Sequence, residues 1–218
     1  MVDRRNMPLS VRVASAWQRI EALLEQYAPL SHQSLQPPAS EDRIAAAENE
    51  LGMAFPEELR TLLKFHNGVV EEPAQIDVDE EGEVWNTKFL DNHALLTLDQ
   101  IVQQCWRLTD PVMSLSQPGY LPWLAPDPDD MTSCWLVSAR EEDSGRLAKW
   151  SEYHALHFPT GPQTVAQLLE AHAEALESGT GSIFGAGENV PGVIYECLVW
   201  DDPNRPFLLG NEFWNPLR

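Results

Sequence analysis

Residues 55–68 read FPEELRTLLKFHNG. Phe55, Leu59, Leu62, Leu63 and His66 recur at three- and four-residue steps, the spacing of one helical face. Pro56 suits a first turn, where its missing N–H would have had no partner. Glu57 and Glu58 follow at the positive end of the helix dipole. Lys64 and His66 stand near the negative end, and Asn67-Gly68 predicts a left-handed stop. His66 has no nucleophile or second base near it in the sequence, so the segment reads as scaffold rather than as an acid–base centre.

Upstream, Val13, Trp17, Ile20, Leu24 and Tyr27 predict a helix over residues 10–27. Prolines 29, 37 and 38 then break the chain. Ser40 predicts an N-cap, with Glu41 and Asp42 in the first turn. Ile44, Glu48 and Leu51 follow at helical spacing, and Gly52 ends the helix. Glu48 falls on the apolar stripe, and a buried carboxylate needs partners. The free N–H groups where the next helix begins at Pro56 are close in sequence, so Glu48 is expected to tie the two helices together.

Downstream, ALLTLDQIVQQCWRL (residues 94–108) predicts a third amphipathic helix with a Thr97/Gln100 capping box. YLPWLA (120–125), TSCWLVSA (132–139) and GRLAKW (145–150) predict strands, the last two joined by REEDSG as a hairpin ending at Trp150. HALHF (154–158) adds a further strand. TVAQLLEAHAEALES (164–178) repeats the capping-box spacing at Thr164 and Gln167. After a glycine-rich connector, VIYECLVW (193–200) and PFLLG (206–210) predict late strands. Helices and strands are segregated, which gives an α+β class with helices packed on a largely antiparallel β-sheet.

The 218 residues suit one domain with an extension, and 43 % apolar content is ordinary for a globular chain. The N-terminus lacks the apolar run of a signal peptide, and no stretch reaches membrane-spanning length. Cys105, Cys134 and Cys197 are far apart and odd in number, which argues for a reduced, cytoplasmic protein. Charge is the unusual feature: 14 bases against 34 acids leave −20. Such a surface repels nucleic acid and anionic membranes and attracts basic proteins.

The acids cluster. Asp77, Asp79, Glu80, Glu81 and Glu83 precede Trp85, and Asp127, Asp129 and Asp130 follow Trp123. Asp77, Asp79, Glu81 and Gly82 imitate a calcium loop, but its twelfth position is Lys88, where a bidentate glutamate is required. His154 and His157, three apart in an expected strand, would point to opposite faces. The glycine run has neither Lys-Ser/Thr nor GxGxxG spacing. No cofactor or metal is therefore expected. An aromatic anchor inside an acidic rim is what an interface with a basic protein would use.

In order, the chain has a helix with Trp17, a Pro37-Pro38 loop, and Ser40, Ile44, Glu48, Leu51 and Gly52 on one helix. The helix and turn from Pro56 to Asn67 and Gly68, a TLDQI helix, an LPW strand and a hairpin ending in Trp150 follow. This order resembles the SUKH superfamily, the Smi/Knr-type cell-wall regulators and their bacterial relatives. The resemblance spans residues 13–177 and is most specific over 48–68. It implies a SUKH-like domain over residues 1–177, with 178–218 an extension packed on it. It also implies a non-enzymatic binding protein, of the bacterial immunity branch, that neutralises a cognate basic toxin by occluding its active site. Asp77, Asp79, Glu80, Glu81, Glu83, Trp85, Asp127, Asp129 and Asp130 are the expected contacts. Trp17, Glu48, Gly52, Pro56, Asn67, Gly68 and Trp150 are expected to be structural. The alternatives are a regulatory scaffold with several weak partners and a metal-dependent hydrolase using the aspartate clusters.

Overall fold

The structure is a computed structural model. It describes residues 7–70, 84–109, 118–129, 132–179, 181, 189–204 and 214–217. The helices are α1 (Leu9–Tyr27), α2 (Pro29–Gln33), α3 (Glu41–Leu51), α4 (Glu57–Leu63), α5 (Leu98–Thr109) and α6 (Val165–Ser178). Strands β1 (Ala94–Leu95), β2 (Tyr120–Ala125), β3 (Ser133–Ser138), β4 (Leu147–Ser151) and β5 (Ala155–His157) form one antiparallel sheet in sequence order. Strands β6 (Val190–Ile194), β7 (Cys197–Asp201) and β8 (Asn215–Pro216) form a second, with β6 central. The class is α+β. No helix among the described residues is long and apolar enough to cross a membrane.

Helix α1 packs on α6 and α4, α3 packs on α5, and α5 lies on β2. The α1–α6 pair is parallel. Arg12 meets Glu170 and Arg19 meets Glu177, each at a separation of 158 residues, so both helices advance seven residues together. Trp17 is fully buried on α1 and Trp150 is buried on β4 opposite Cys134. β2 is irregular between Pro122 and Leu124, where the backbone carbonyl of Trp123 accepts from Leu96 N–H.

Helix starts follow their caps. Ser40 Oγ accepts from Arg43 N–H at 3.3 Å, and Gly52 ends α3 with φ +67°. The Thr97/Gln100 box closes in both directions at 2.9 and 3.2 Å. Thr164 Oγ1 caps Gln167 N–H at 3.3 Å, but the reciprocal arm moves back one residue, from Gln163 N–H to Gln167 Oε1 at 2.8 Å.

Several expectations need correction. Helix α4 stops at Leu63 rather than at His66, and Pro56 precedes its first residue. The loop over residues 36–39 competes for the backbone here: Asn67 N–H donates to Pro37 O, and Ala39 N–H to Leu63 O. Asn67 and Gly68 therefore lie beyond the helix end. Asn67 Oδ1 accepts from Leu98 N–H at 2.9 Å, at the start of α5. Gly68, at φ +72°, passes so close to Leu96 that a Cβ would stand 2.5 Å from its carbonyl carbon. Ala94 and Leu95 belong to β1, not to the following helix. VIYECLVW is not one strand: it folds as the β6–β7 hairpin, with Tyr195 and Glu196 both at positive φ, as a two-residue primed turn requires. PFLLG lies outside the described residues.

The second sheet packs on the rest through α2 and α6 and through Trp200. Trp200 on β7 belongs to the main core and donates through Nε1 to Phe89 O at 2.9 Å. Val84, Ile194, Cys197, Val199 and Trp214 form a small core of their own. Gly192 on β6 gives Trp214 its seat, because the indole occupies the space a Cβ would take.

Candidate partner-binding face

Asp77, Asp79, Glu80, Glu81, Glu83 and Asp130 lie outside the described residues; Trp85, Asp127 and Asp129 lie within them. The described chain ends at Val70 before the first acidic stretch and resumes at Val84 after it. Both ends are fixed. Val69 N–H donates to Leu95 O and Val70 N–H to Ser34 O, at 3.1 Å each. Val84 is held in the small core of the second sheet. Trp85, 37 % exposed, then carries the Lys88 ammonium 4.3 Å over its ring, a cation–π contact. Asn86 Nδ2 donates to Leu30 O at 3.4 Å. Asn92 forms a two-way bond with the Trp200 backbone, Nδ2 to the carbonyl at 2.9 Å and N–H to Oδ1 at 3.4 Å. The C-terminal sheet is thus the platform on which residues 84–92 rest.

The second acidic stretch begins the β2–β3 connection. Asp127 Oδ1 accepts from Asp129 N–H at 2.9 Å, which closes a local turn. Gln104 of α5 reaches across with Nε2 to Pro128 O at 2.9 Å, and Arg107 Nη1 approaches Asp129 O at 3.4 Å. Asp127 and Asp129 are exposed.

These parts converge on one cleft of about 290 Å³, lined by Val69, Val70, Thr87, Gln100, Pro128 and Asp129. It brings Val69 and Val70, before the first acidic stretch, and Thr87, after it, to the turn that opens the second, although some forty residues or more separate them in sequence. Thr87 is 1 % exposed, and its hydroxyl has no hydrogen-bond partner among the described residues. Nothing in the sequence singled out Thr87 or Val70, since both are ordinary residues that matter only through their neighbours.

The structural carboxylates are elsewhere. Glu48 is half-buried. It accepts from Phe55 N–H at 2.7 Å and from Arg60 Nη1 at 2.5 Å, while Arg60 Nη2 continues to Glu41. Its backbone partner lies just before α4 rather than in its first turn. Glu58, on α4, is 2 % exposed and accepts from Ala166 N–H at 2.8 Å, at the start of α6. Burial raises its pKa, opposed by the bonds from Ala166 and Thr164 and by Arg12. Its tertiary task was hidden in the sequence, where it looked like an ordinary first-turn acid.

Burial shapes the remaining reactive groups. It raises the Cys105 thiol to about 12 and the Cys197 thiol to about 11, and it raises Cys134 as well, which leaves no thiolate to act as nucleophile. His93 is lowered to about 4 and His172 to about 3, chiefly by burial. Among the described residues, no three His, Cys, Asp or Glu side chains are grouped to hold a metal ion.

Residues 38–151 match the family model described as the SMI1 / KNR4 family (SUKH-1). That span runs from the loop before α3 to the end of β4 and includes the whole lining of the cleft. No curated protein matches the chain.

Proposed function

The chain belongs to the SMI1 / KNR4 family (SUKH-1), and from that premise we propose that it is a non-enzymatic immunity protein that binds and neutralises a basic toxin. The mechanism is occlusion: an acidic, aromatic-anchored face covers the toxin's active site. The observation that carries this reading is the cleft in which Val69 and Val70, before the first acidic stretch, and Thr87, after it, meet Pro128 and Asp129 of the second, together with the exposure of Trp85. A net charge of −20 supports it by favouring and accelerating encounter with a cationic partner.

The experiment uses the purified product of the neighbouring gene. A tight complex that abolishes that protein's toxic activity is the expected result. Several weak partners and no inhibition would replace this reading with the regulatory scaffold. Within a complex, changing Asp77, Asp79, Glu80, Glu81 and Glu83 to amides should slow association and flatten its salt dependence. Trp85→Ala should act on the dissociation rate instead.

A further inference from the structure

We propose that the cleft bounded by Val70, Thr87 and Asp129 is the seat of a single cationic side chain, an arginine, supplied by the bound partner. This rests on the reading that the partner is a basic protein, and it names where and how one residue of that partner is held.

Size is the first constraint. At about 290 Å³ the cleft falls just below the roughly 300–1,000 Å³ typical of sites for whole small molecules. One long side chain suits it better than a cofactor. The lining supplies what such a side chain needs. Val69, Val70 and Pro128 offer apolar surface to the methylene stem. At the rim, the backbone of Asp129 is fixed from both sides, through its N–H to Asp127 and its carbonyl to Arg107. Its carboxylate has no partner among the described residues, so a fixed anion is left over.

Thr87 is the second, independent observation. Its hydroxyl is buried and has no partner among the described residues, on a residue that lines the cleft. A polar group left so carries a desolvation penalty that an incoming N–H donor removes. Gln100, also in the lining, has its Oε1 committed to Thr97 N–H. Among the described lining side chains, the acceptors on offer are therefore a carboxylate and a hydroxyl. Arginine fits them better than lysine: its planar fork can place two parallel donors on the carboxylate and keep others for the hydroxyl. The nearby cation Arg107 does not fill the role. Its Nη1 is directed to Gln104 Oε1 at 3.3 Å and to the Asp129 carbonyl.

The test is an NMR titration of the full chain with N-acetylarginine amide at constant ionic strength. The control is N-acetylcitrulline amide, which is neutral but nearly the same shape. The expected result is saturable shifts centred on Val70, Thr87, Gln100 and Asp129, with none from the control. Asp129→Asn should weaken binding roughly tenfold and Thr87→Val severalfold. Both variants are close in shape to the native residue, and an unchanged amide spectrum elsewhere verifies the fold. Non-saturating shifts spread over the acidic surface, or binding that Asp129→Asn leaves unchanged, would overturn the proposal. The two readings fail separately. If the purified toxin binds but the arginine probe does not, the cleft proposal falls alone. If the probe saturates the cleft and no toxin binds, the cleft stands and the immunity reading falls.

Discussion

Arg12 and Glu170 face each other across α1 and α6 in a two-pronged ion pair, Nε to Oε1 at 2.9 Å and Nη2 to Oε2 at 2.5 Å. Arg19 and Glu177 repeat it at 2.7 and 2.6 Å, one heptad further along both helices. The side chains of the first pair are 14 % and 23 % exposed, those of the second 24 % and 43 %. Fork-to-fork geometry fixes the register of the two helices as well as adding attraction. Water screens the second pair more, and exposed pairs contribute little. A double-mutant cycle in urea should give a coupling of about 1–2 kcal/mol for Arg12/Glu170 and about 0.5 kcal/mol for Arg19/Glu177. Equal couplings would mean that exposure does not govern them.

Glu58 separates hydrogen bonding from charge. Glu58→Ala leaves the buried Ala166 N–H unsatisfied and should cost about 1–3 kcal/mol. Glu58→Gln keeps an acceptor and removes a charge that burial disfavours. The folded pKa is raised, so the stability this group contributes is fully present below its ordinary value of 4.5 and is lost as pH rises. At pH 7 the Gln variant should therefore match or exceed the native chain, and that relative gain should vanish below about pH 4.5. Urea midpoints at the two pH values check the order.

His172 should make the fold sensitive to acid. It is fully buried against Trp200, with ring centroids 5.0 Å apart, and neither ring nitrogen makes a well-formed hydrogen bond among the described residues. Its pKa is lowered from 6.5 to about 3, by burial first and by His93 in a lesser way, with the Phe89 carbonyl opposing. The unfolded chain then binds the extra proton below pH 6.5, so stability falls as pH falls. At pH 5 the cost from His172 is about 2 kcal/mol. His172→Phe should flatten the decline between pH 7 and 5 relative to the native chain. An unchanged slope would assign the sensitivity to other groups, His93 first.

Glu48→Ala should lower stability by about 1–3 kcal/mol, because it removes the acceptor for Phe55 N–H and one anion from the Arg60 fork. Glu48→Gln keeps the neutral bond and should cost about half as much. A urea midpoint indistinguishable from that of the native chain in the Ala variant would end this assignment.

What was legible in the sequence was local. The α3 cap at Ser40, the Gly52 stop, the Thr97/Gln100 box and the α1 stripe from Val13 to Leu24 depend on neighbours three or four residues away and are found where expected, whereas Tyr27, at the end of that stripe, is exposed. What was hidden depends on distant partners. Helix α4 ends early because residues 37–39 take its backbone groups. The β6–β7 turn is built from Tyr195 and Glu196, with no Asn-Gly to mark it, so VIYECLVW looks like one continuous strand in the sequence. For the candidate face, the sequence offered Trp85, Asp127 and Asp129. Of these only Asp129 lines the cleft, beside Thr87, whose hydroxyl has no partner among the described residues and which no sequence pattern marks.

The parallel pairing of α1 with α6 also sets an order of events during synthesis. Val13, Trp17, Ile20 and Leu24 bury their surface against elements of which α6 is the last to be made. With 158 residues between paired positions, a ribosome adding about 5–20 residues per second leaves that apolar stripe waiting roughly 8–30 s. Helix–coil exchange takes about a microsecond, so α1 will form and dissolve many times before its partner exists. The nascent chain therefore shows a tryptophan-bearing hydrophobic face to the cell before any binding cleft is complete, and chaperones have that long to meet it.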